Sequence, residues 1–113
     1  MEKLIKPKMV TLISRRLKSG VKFKEYHEKW MPEGSDSTKY FSFPVQVIHL
    51  ENVNDPDDII SIGLLDADES ILYQEAQRIC VSEKERSDKI SKVCDKVTDT
   101  KLYRVVTVDT LGK

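Results

Sequence analysis

Residues 44–65 have the sequence PVQVIHLENVNDPDDIISIGLL, and this stretch decides the fold. It contains two apolar and β-branched runs, Pro44–Leu50 and Asp58–Leu65, on either side of the polar segment 52–58. β-Branched residues favour strands, and a short link rich in Asn, Asp and Pro favours a reversal of the chain. The stretch therefore predicts an antiparallel hairpin at the centre of the sequence.

A strand and a helix are predicted before this hairpin. Met9–Leu17, with the sequence MVTLISRRL, predicts a strand that ends at a Ser-Gly pair. Lys22–Met31 predicts a helix that ends at the following proline, and Glu33–Ser42 predicts a flexible polar loop. Four ring-bearing residues recur on one face of this helix: Phe23, Tyr26, His27 and Trp30.

Helical sequence and a last strand are predicted after the hairpin. Capping patterns that start at Asp66 and Ser82 each place a glutamate three residues later, which is typical of a helix N-terminus. Apolar residues follow at helical spacing, namely Leu72, Ala76, Ile79 and Cys80, then Ile90, Val93, Cys94 and Val97. These patterns predict two helical segments, or one helix kinked near Ser82. Leu102–Val108, with the sequence LYRVVTV, predicts the fourth strand.

The order β-α-β-β-α(α)-β predicts an α+β fold of the ferredoxin-like type, with a four-stranded antiparallel sheet and helices on one face. The predicted strands are apolar on both faces, whereas a sheet with one wet face normally alternates apolar and polar residues. In the second strand, Val45 and Val47 share one face, and Ile48 and Leu50 share the other. Helices on one face leave the second apolar face uncovered. We therefore expect a homodimer in which the open sheet faces of two subunits pack together.

Composition restricts the class of protein. The chain has 113 residues with 19 acidic and 19 basic side chains, so its net charge gives no argument for a nucleic-acid or membrane partner. The predicted third strand also lacks the aromatic platform of RNA-recognition modules. Without a membrane-length apolar run or a signal peptide, we expect a single cytoplasmic domain over residues 1–113. Cys80 and Cys94 lie on apolar helical stripes without CxxC spacing, which predicts reduced core thiols.

Three stretches of the chain match the pattern of a known family. They are Val10–Gly20 as a first strand with a glycine turn, Phe23–Trp30 as an aromatic-bearing first helix, and Ile59–Leu64 as a third strand after an acidic turn. Together they resemble the dimeric α/β-barrel superfamily, which includes the antibiotic-biosynthesis-type monooxygenases. The resemblance implies paired sheets and a small molecule bound between the sheet and the helices. Some members oxidise aromatic compounds without metal or flavin and others degrade haem, and no motif here chooses among them.

Five residues are candidates for a ligand pocket: Tyr26, His27, Trp30, His49 and Tyr73. His27 is the best catalytic candidate, because an imidazole can accept a proton near neutral pH. The alternative interpretation is that the aromatic helix face packs in the core and that His49 is a hydrogen-bonded core residue. Nothing in the sequence places His27 and His49 together as metal ligands, so we predict no metal site and no cofactor.

Two functions fit these observations. The first is a protein that binds a small aromatic or apolar ligand, with monooxygenase-like enzymatic activity and no cofactor. The second is a non-catalytic structural or interaction dimer without a ligand pocket. The space beneath the first helix distinguishes them, because a ligand-sized cavity lined by His27 or His49 favours the first function and a filled, dry core favours the second.

Overall fold

The computed structural model describes residues 3–31 and 41–112. Its elements are β1 (Met9–Leu17), α1 (Phe23–Trp30), β2 (Val45–Asn52), β3 (Asp55–Leu65), α2 (Glu69–Gln74), α3 (Ala76–Ile90) and β4 (Cys94–Arg104). The strands form one antiparallel sheet in the order β2-β3-β1-β4. This order, with helices on one face, confirms the predicted α+β ferredoxin-like fold. Most of the predicted loop Glu33–Ser42 lies outside the described residues.

The predicted central hairpin is present, and its turn is tighter than the sequence suggested. β3 begins at Asp55, three residues before the predicted start, and Asn52 pairs directly with Asp55. The Asn52 side chain accepts a hydrogen bond from the backbone N–H of Asn54 at 2.9 Å. Asparagine side chains stabilise tight turns in this way. Because the turn is short, the acidic residues from Asp55 onward belong to strand β3.

The two faces of the sheet have different surroundings. Antiparallel partners share a face, so Ile13 and its β3 partner Ser61 lie on the face that carries the helices. The opposite face, called the open face below, has Ile62 near its centre, between Leu12 and Ile48. Its apolar residues are Val10, Leu12, Ile48, Leu50, Ile60, Ile62, Leu64 and Tyr103. On this face, Leu50 and Tyr103 are 43% and 44% exposed.

The fourth strand differs from the prediction. It runs from Cys94 to Arg104 rather than from Leu102 to Val108, and it pairs with all of β1. The apolar residues Val93 and Cys94 fit the pattern of a helix and that of a strand equally well. Strand β4 forms here because this part of the chain pairs with the nine-residue strand β1. Arg104 pairs with Met9, the first residue of β1, so the residues after Arg104 have no residue of β1 opposite them. The exposed side chains of Val106 and Val108 lie in this irregular segment.

The helical segments also differ from the prediction in their boundaries. The helix break falls at Glu75 rather than near Ser82, and α3 ends at Ile90 instead of continuing to Val97. Asp68, not Asp66, caps α2 by accepting the backbone N–H of Ile71 at 3.0 Å. The Ser82 pattern lies inside a continuous helix, because such a pattern starts a helix only where the preceding turn is not already helical.

The core lies at one end of the sheet, beneath α1 and the end of α3. Its buried members are Leu17, Tyr26, Ile59, Ile90, Val93 and Cys94. Cys94 is a free buried thiol as predicted, and burial raises its pKa. Cys80 was predicted to be buried as well, and that prediction is wrong. It is exposed, because the first half of α3 stands away from the sheet instead of packing on it.

A glycine turn connects this core to α1. Gly20 has a φ of +83°, a conformation that only glycine adopts without strain, and it lets the backbone N–H of Val21 bond back to Lys18 at 3.1 Å. The turn brings α1 over the sheet directly after β1. Within residues 3–31 and 41–112, none of the helices has both the length and the apolar character needed to cross a bilayer.

Candidate functional site

A cavity of about 1430 Å³ separates the sheet from α2 and the first half of α3. This is larger than the ~300–1,000 Å³ of typical small-molecule pockets. Its floor is formed by Thr11, Ile13, Val45, Val47 and Gly63, and its helical wall by Leu72, Ala76, Ile79 and Cys80. The apolar stripe that the sequence assigned to the core therefore faces open space. Glycine is required at position 63 of the floor, because a Cβ there would collide with the side chain of Thr11.

Aromatic rings line the end of the cavity next to α1. The His49 ring stands edge-on to Trp30, with 4.5 Å between centroids and an angle of 87°. His27 lies 5.4 Å from His49 and stacks on Trp30 at 6.1 Å. All three side chains line the cavity. The spacing of His27 and Trp30 on one turn of α1, and the pairing of His49 with Ser61 on the floor, produce this cluster.

A chain of hydrogen bonds runs beneath the rings. Arg15 Nη1 donates to Tyr26 Oη at 3.0 Å, Tyr26 Oη lies 3.4 Å from Ser61 Oγ, and Ser61 Oγ lies 2.9 Å from His49 Nδ1. A guanidinium only donates, so Tyr26 Oη accepts from Arg15, and the tyrosine's own O–H is available as a donor to Ser61 Oγ. Ser61 then donates to His49. We infer that Nδ1 of His49 is an acceptor and that its proton is on Nε2.

This chain and its surroundings keep the His49 imidazole neutral. Burial, followed by the nearby His27, Arg15 and Arg86 groups, lowers the pKa of His49 from 6.5 to about 4. Protonation would place a further positive charge beside the two arginines. At neutral pH, His49 can therefore donate one hydrogen bond from Nε2, and it is a weak base.

The low pKa of His49 predicts a specific acid sensitivity. Between pH 6.5 and about 4 the unfolded chain binds a proton at His49 that the folded chain does not. Stability is therefore retained above pH 6.5 and falls as the pH drops through this window. We expect a loss on the order of 1–2 kcal/mol, discounted because the ring is only partly buried. Urea unfolding at pH 7 and pH 4.5 measures it.

The variant His49→Gln provides the control for this acid sensitivity. Glutamine has no charge at either pH, so the difference in unfolding free energy between pH 7 and pH 4.5 should shrink by that amount. A difference as large in His49→Gln as in the unmodified chain would contradict the assignment of a low pKa to His49.

Arg15 is a charged side chain inside the protein, and it also lines the cavity. Only 3% of the residue is exposed, and its Nε has no hydrogen-bond partner among the described residues. Within residues 3–31 and 41–112, its contacts are the hydroxyl of Tyr26 and a cation–π contact, 6.0 Å from the centroid of the same ring. Burying a charge without a paired anion costs several kcal/mol. Such a cost is more typical of a functional site than of a structural one.

A second arginine joins the helices at the rim of the aromatic cluster. Arg86 on α3 lies over the Trp30 ring, 4.6 Å from its centroid, and donates from Nε to the Trp30 carbonyl at 3.2 Å. Its Nη1 forms an ion pair with Glu83 at 2.9 Å. Burial is the main cause that lowers the pKa of Arg86. The contact closes the C-terminal end of α1 onto α3.

The structure brings together three of the five residues that the sequence nominated. His27, Trp30 and His49 meet at the cavity, whereas Tyr26 is fully buried behind them. Tyr73 is 81% exposed on α2 and does not line the cavity. His27 and His49 are adjacent, which the sequence did not indicate. Across residues 3–31 and 41–112, no three His, Cys, Asp or Glu side chains come together as metal ligands.

Three polar members of the site were not nominated from the sequence: Arg15, Ser61 and Arg86. A signal for the first two was present, because Arg15 and Ser61 occupy positions in β1 and β3 whose alternation points them to the inner face. A charged or polar residue at such a position is informative when the neighbours on the same face are apolar. Arg86 had no such signal, since it lies on a helix rich in charged residues.

The comparisons with known proteins support the fold. No protein-family model matches the chain, and no curated protein matches it. One solved structure, from Chloroflexus aurantiacus J-10-fl, is similar and bears the name "putative Antibiotic biosynthesis monooxygenase". The similarity covers 92% of this chain and 98% of that one, with a TM-score of 0.58 and 11% sequence identity. The chain therefore has the same ferredoxin-like fold as that structure.

Proposed function

We propose that the protein binds a small aromatic or apolar ligand in the cavity, against Trp30, His27 and His49. The single observation that carries this proposal is the cavity itself, which has an apolar floor and wall and one aromatic, polar end. Pockets with this combination of apolar surface and a few convergent polar groups are typical of ligand sites. The lining of this cavity by His27 and His49 disfavours the non-catalytic dimer, for which we expected no ligand-sized cavity at these residues.

His27 is the proposed proton acceptor in this site. Its ring lies at the cavity and contacts Trp30, which offers a flat surface for an aromatic ligand. The neutral His49 beside it would donate a hydrogen bond to an oxygen of the ligand. Loss of an acidic ligand proton to His27 gives an electron-rich carbanion. Reaction of that carbanion with molecular oxygen would form a C–O bond to a peroxide, which takes the proton back from His27. Loss of water from the hydroperoxide would leave one oxygen atom in the ligand as a carbonyl. This monooxygenase-like reaction is the chemistry to test first, and the name of the solved neighbour supports it.

The proposed site can be tested with N-phenylnaphthylamine, a neutral aromatic probe whose fluorescence rises in apolar surroundings. We expect saturable binding of one probe per chain and quenching of Trp30, the single tryptophan of the sequence. His27→Ala should weaken binding at least about threefold through the lost aromatic contact, without unfolding the protein. Titration of probe fluorescence, with circular dichroism of each variant, measures both.

Lys29→Ala on the exposed part of the same helix is the matched control, and we expect it to bind the probe like the unmodified chain. Absence of saturable binding, or equal binding by His27→Ala, would contradict the proposed site. It would favour the structural dimer instead.

We further propose that two copies of the chain pack through their open faces. Support comes from the run of apolar side chains on that face, with Ile62 at its centre. A two-fold axis lets one surface serve as both halves of an interface. A cytoplasmic location is proposed as well, because both cysteines are free thiols and cytosolic proteins keep thiols reduced.

A further inference from the structure

The inner end of the cavity contains a positive charge that the described residues do not neutralise. A guanidinium has five N–H donors, and the acceptor described for Arg15 is Tyr26 Oη. Tyr26 offers Arg15 a hydroxyl oxygen and not a carboxylate, so this contact is not an ion pair. Neighbouring Arg16 forms an ion pair with Asp55 at 2.7 Å, and Arg86 forms one with Glu83. Among the described side chains none forms such a pair with Arg15.

Regular strand alternation places the Arg15 side chain. β1 pairs with β3 without a break through Arg15, which lies opposite Ile59. Arg15 is two residues from Ile13, so both side chains lie on the face that carries the helices. Arg15 then lines the cavity together with Arg86, whose own charge is balanced by Glu83. The cavity lining contains Arg15, Arg86 and Lys101 against the single carboxylate of Glu83, so positive charge is in excess among the described lining residues.

We propose that Arg15 is the anion-binding group of the cavity, and that the ligand is an aromatic organic anion whose charged oxygen binds its guanidinium. This inference rests on the proposed function and adds the charge of the ligand to it. A carboxylate or an enolate would fit, because each supplies a negative oxygen that accepts hydrogen bonds from a guanidinium. The aromatic body would then lie towards Trp30, at the other end of the ring cluster.

Two probes that differ by one charged group test the proposal. Anilinonaphthalene sulfonate has the ring system of N-phenylnaphthylamine plus a sulfonate, so the ratio of their dissociation constants isolates the effect of the negative charge. We expect the anionic probe to bind at least about tenfold more tightly than the neutral one, and the two to compete for one site. In Arg15→Met the ratio should approach one, while binding of the neutral probe is retained.

Arg16→Met is the matched control, because it removes the next arginine, whose side chain lies on the opposite face of β1. We expect it to keep the preference for the anion. Equal binding of the two probes by the unmodified chain, or a preference that survives in Arg15→Met, would overturn the proposal. If Arg15→Met does not fold, Arg15→Gln decides, since glutamine removes the charge and keeps an N–H donor for Tyr26. A preference unchanged in Arg15→Gln would then count against the proposal.

The two proposals fail in different ways. If neither probe binds the unmodified chain, the cavity is not a ligand site and the proposed function fails. If the neutral probe binds and the anionic probe binds no better, the proposed function stands and the role of Arg15 is wrong.

Discussion

Replacing Ile62 with lysine is expected to convert the proposed dimer into a monomer. Ile62 lies near the centre of the open face, between Leu12 on β1 and Ile48 on β2. Packing of two open faces would bury one such lysine from each subunit in apolar surroundings without a counter-charge. We expect the dimer dissociation constant to rise at least about 100-fold, equivalent to roughly 3 kcal/mol. Sedimentation velocity over a concentration series measures it.

Val53→Lys is the control for Ile62→Lys, because it makes a similar chemical change at the hairpin turn, where the side chain is 93% exposed. We expect Val53→Lys to dimerise like the unmodified chain. A monomeric unmodified chain would contradict the dimer itself. A dimer of unchanged affinity in Ile62→Lys would show that another surface forms the interface.

Tyr26→Ala is expected to destabilise the fold more than any other single change considered. The ring is fully buried in the core formed with Leu17, Ile59 and Ile90. Truncation of a buried aromatic ring costs ~3–5 kcal/mol, against a total of ~5–15 kcal/mol for a typical domain. The change also removes the acceptor of Arg15, which adds to the loss. Urea unfolding followed by circular dichroism measures the free energy of unfolding.

Three further variants accompany Tyr26→Ala. The first is a control, and the other two separate the contribution of the Tyr26 ring to stability from that of its hydroxyl. Tyr73→Ala removes an exposed tyrosine on α2 and is expected to change stability by less than ~0.5 kcal/mol. Tyr26→Phe keeps the ring and should cost ~1–3 kcal/mol, because Arg15 loses its hydrogen-bond acceptor. Adding Arg15→Met to Tyr26→Phe should recover part of that loss. Strict additivity of these two changes would contradict the Arg15–Tyr26 bond as an energetic contact.

Local sequence patterns predict most of the fold because β1, the hairpin and α1 are specified by neighbouring residues. Alternation and turn chemistry place Met9–Leu17 as it is observed. The end of the chain is different. The spacing of Val93 and Cys94 satisfies a helix and a strand equally, and only pairing with β1, some 80 residues earlier in sequence, selects β4. Contacts of that range are not encoded in a local pattern.

The candidate site could be predicted only in part, for a related reason. Ring-bearing residues at helical spacing place His27 and Trp30 on one face of α1, but their meeting with His49 depends on how α1 lies over β2. The stripe of Leu72, Ala76 and Ile79 has the pattern of a core-facing helix whether it meets side chains or a cavity. Apolar periodicity indicates which face of a helix is turned away from water. It does not indicate whether that face packs against side chains or lines a cavity.

The most direct test of the central claim, that the cavity between the sheet and the helices is a ligand site, is a crystal structure of the protein grown with N-phenylnaphthylamine. We expect electron density for one probe per chain over the sheet floor, in contact with Trp30 and His27, with Val47 beneath it. Probe density confined to the open face, or a cavity filled by the side chains of the protein itself, would contradict it.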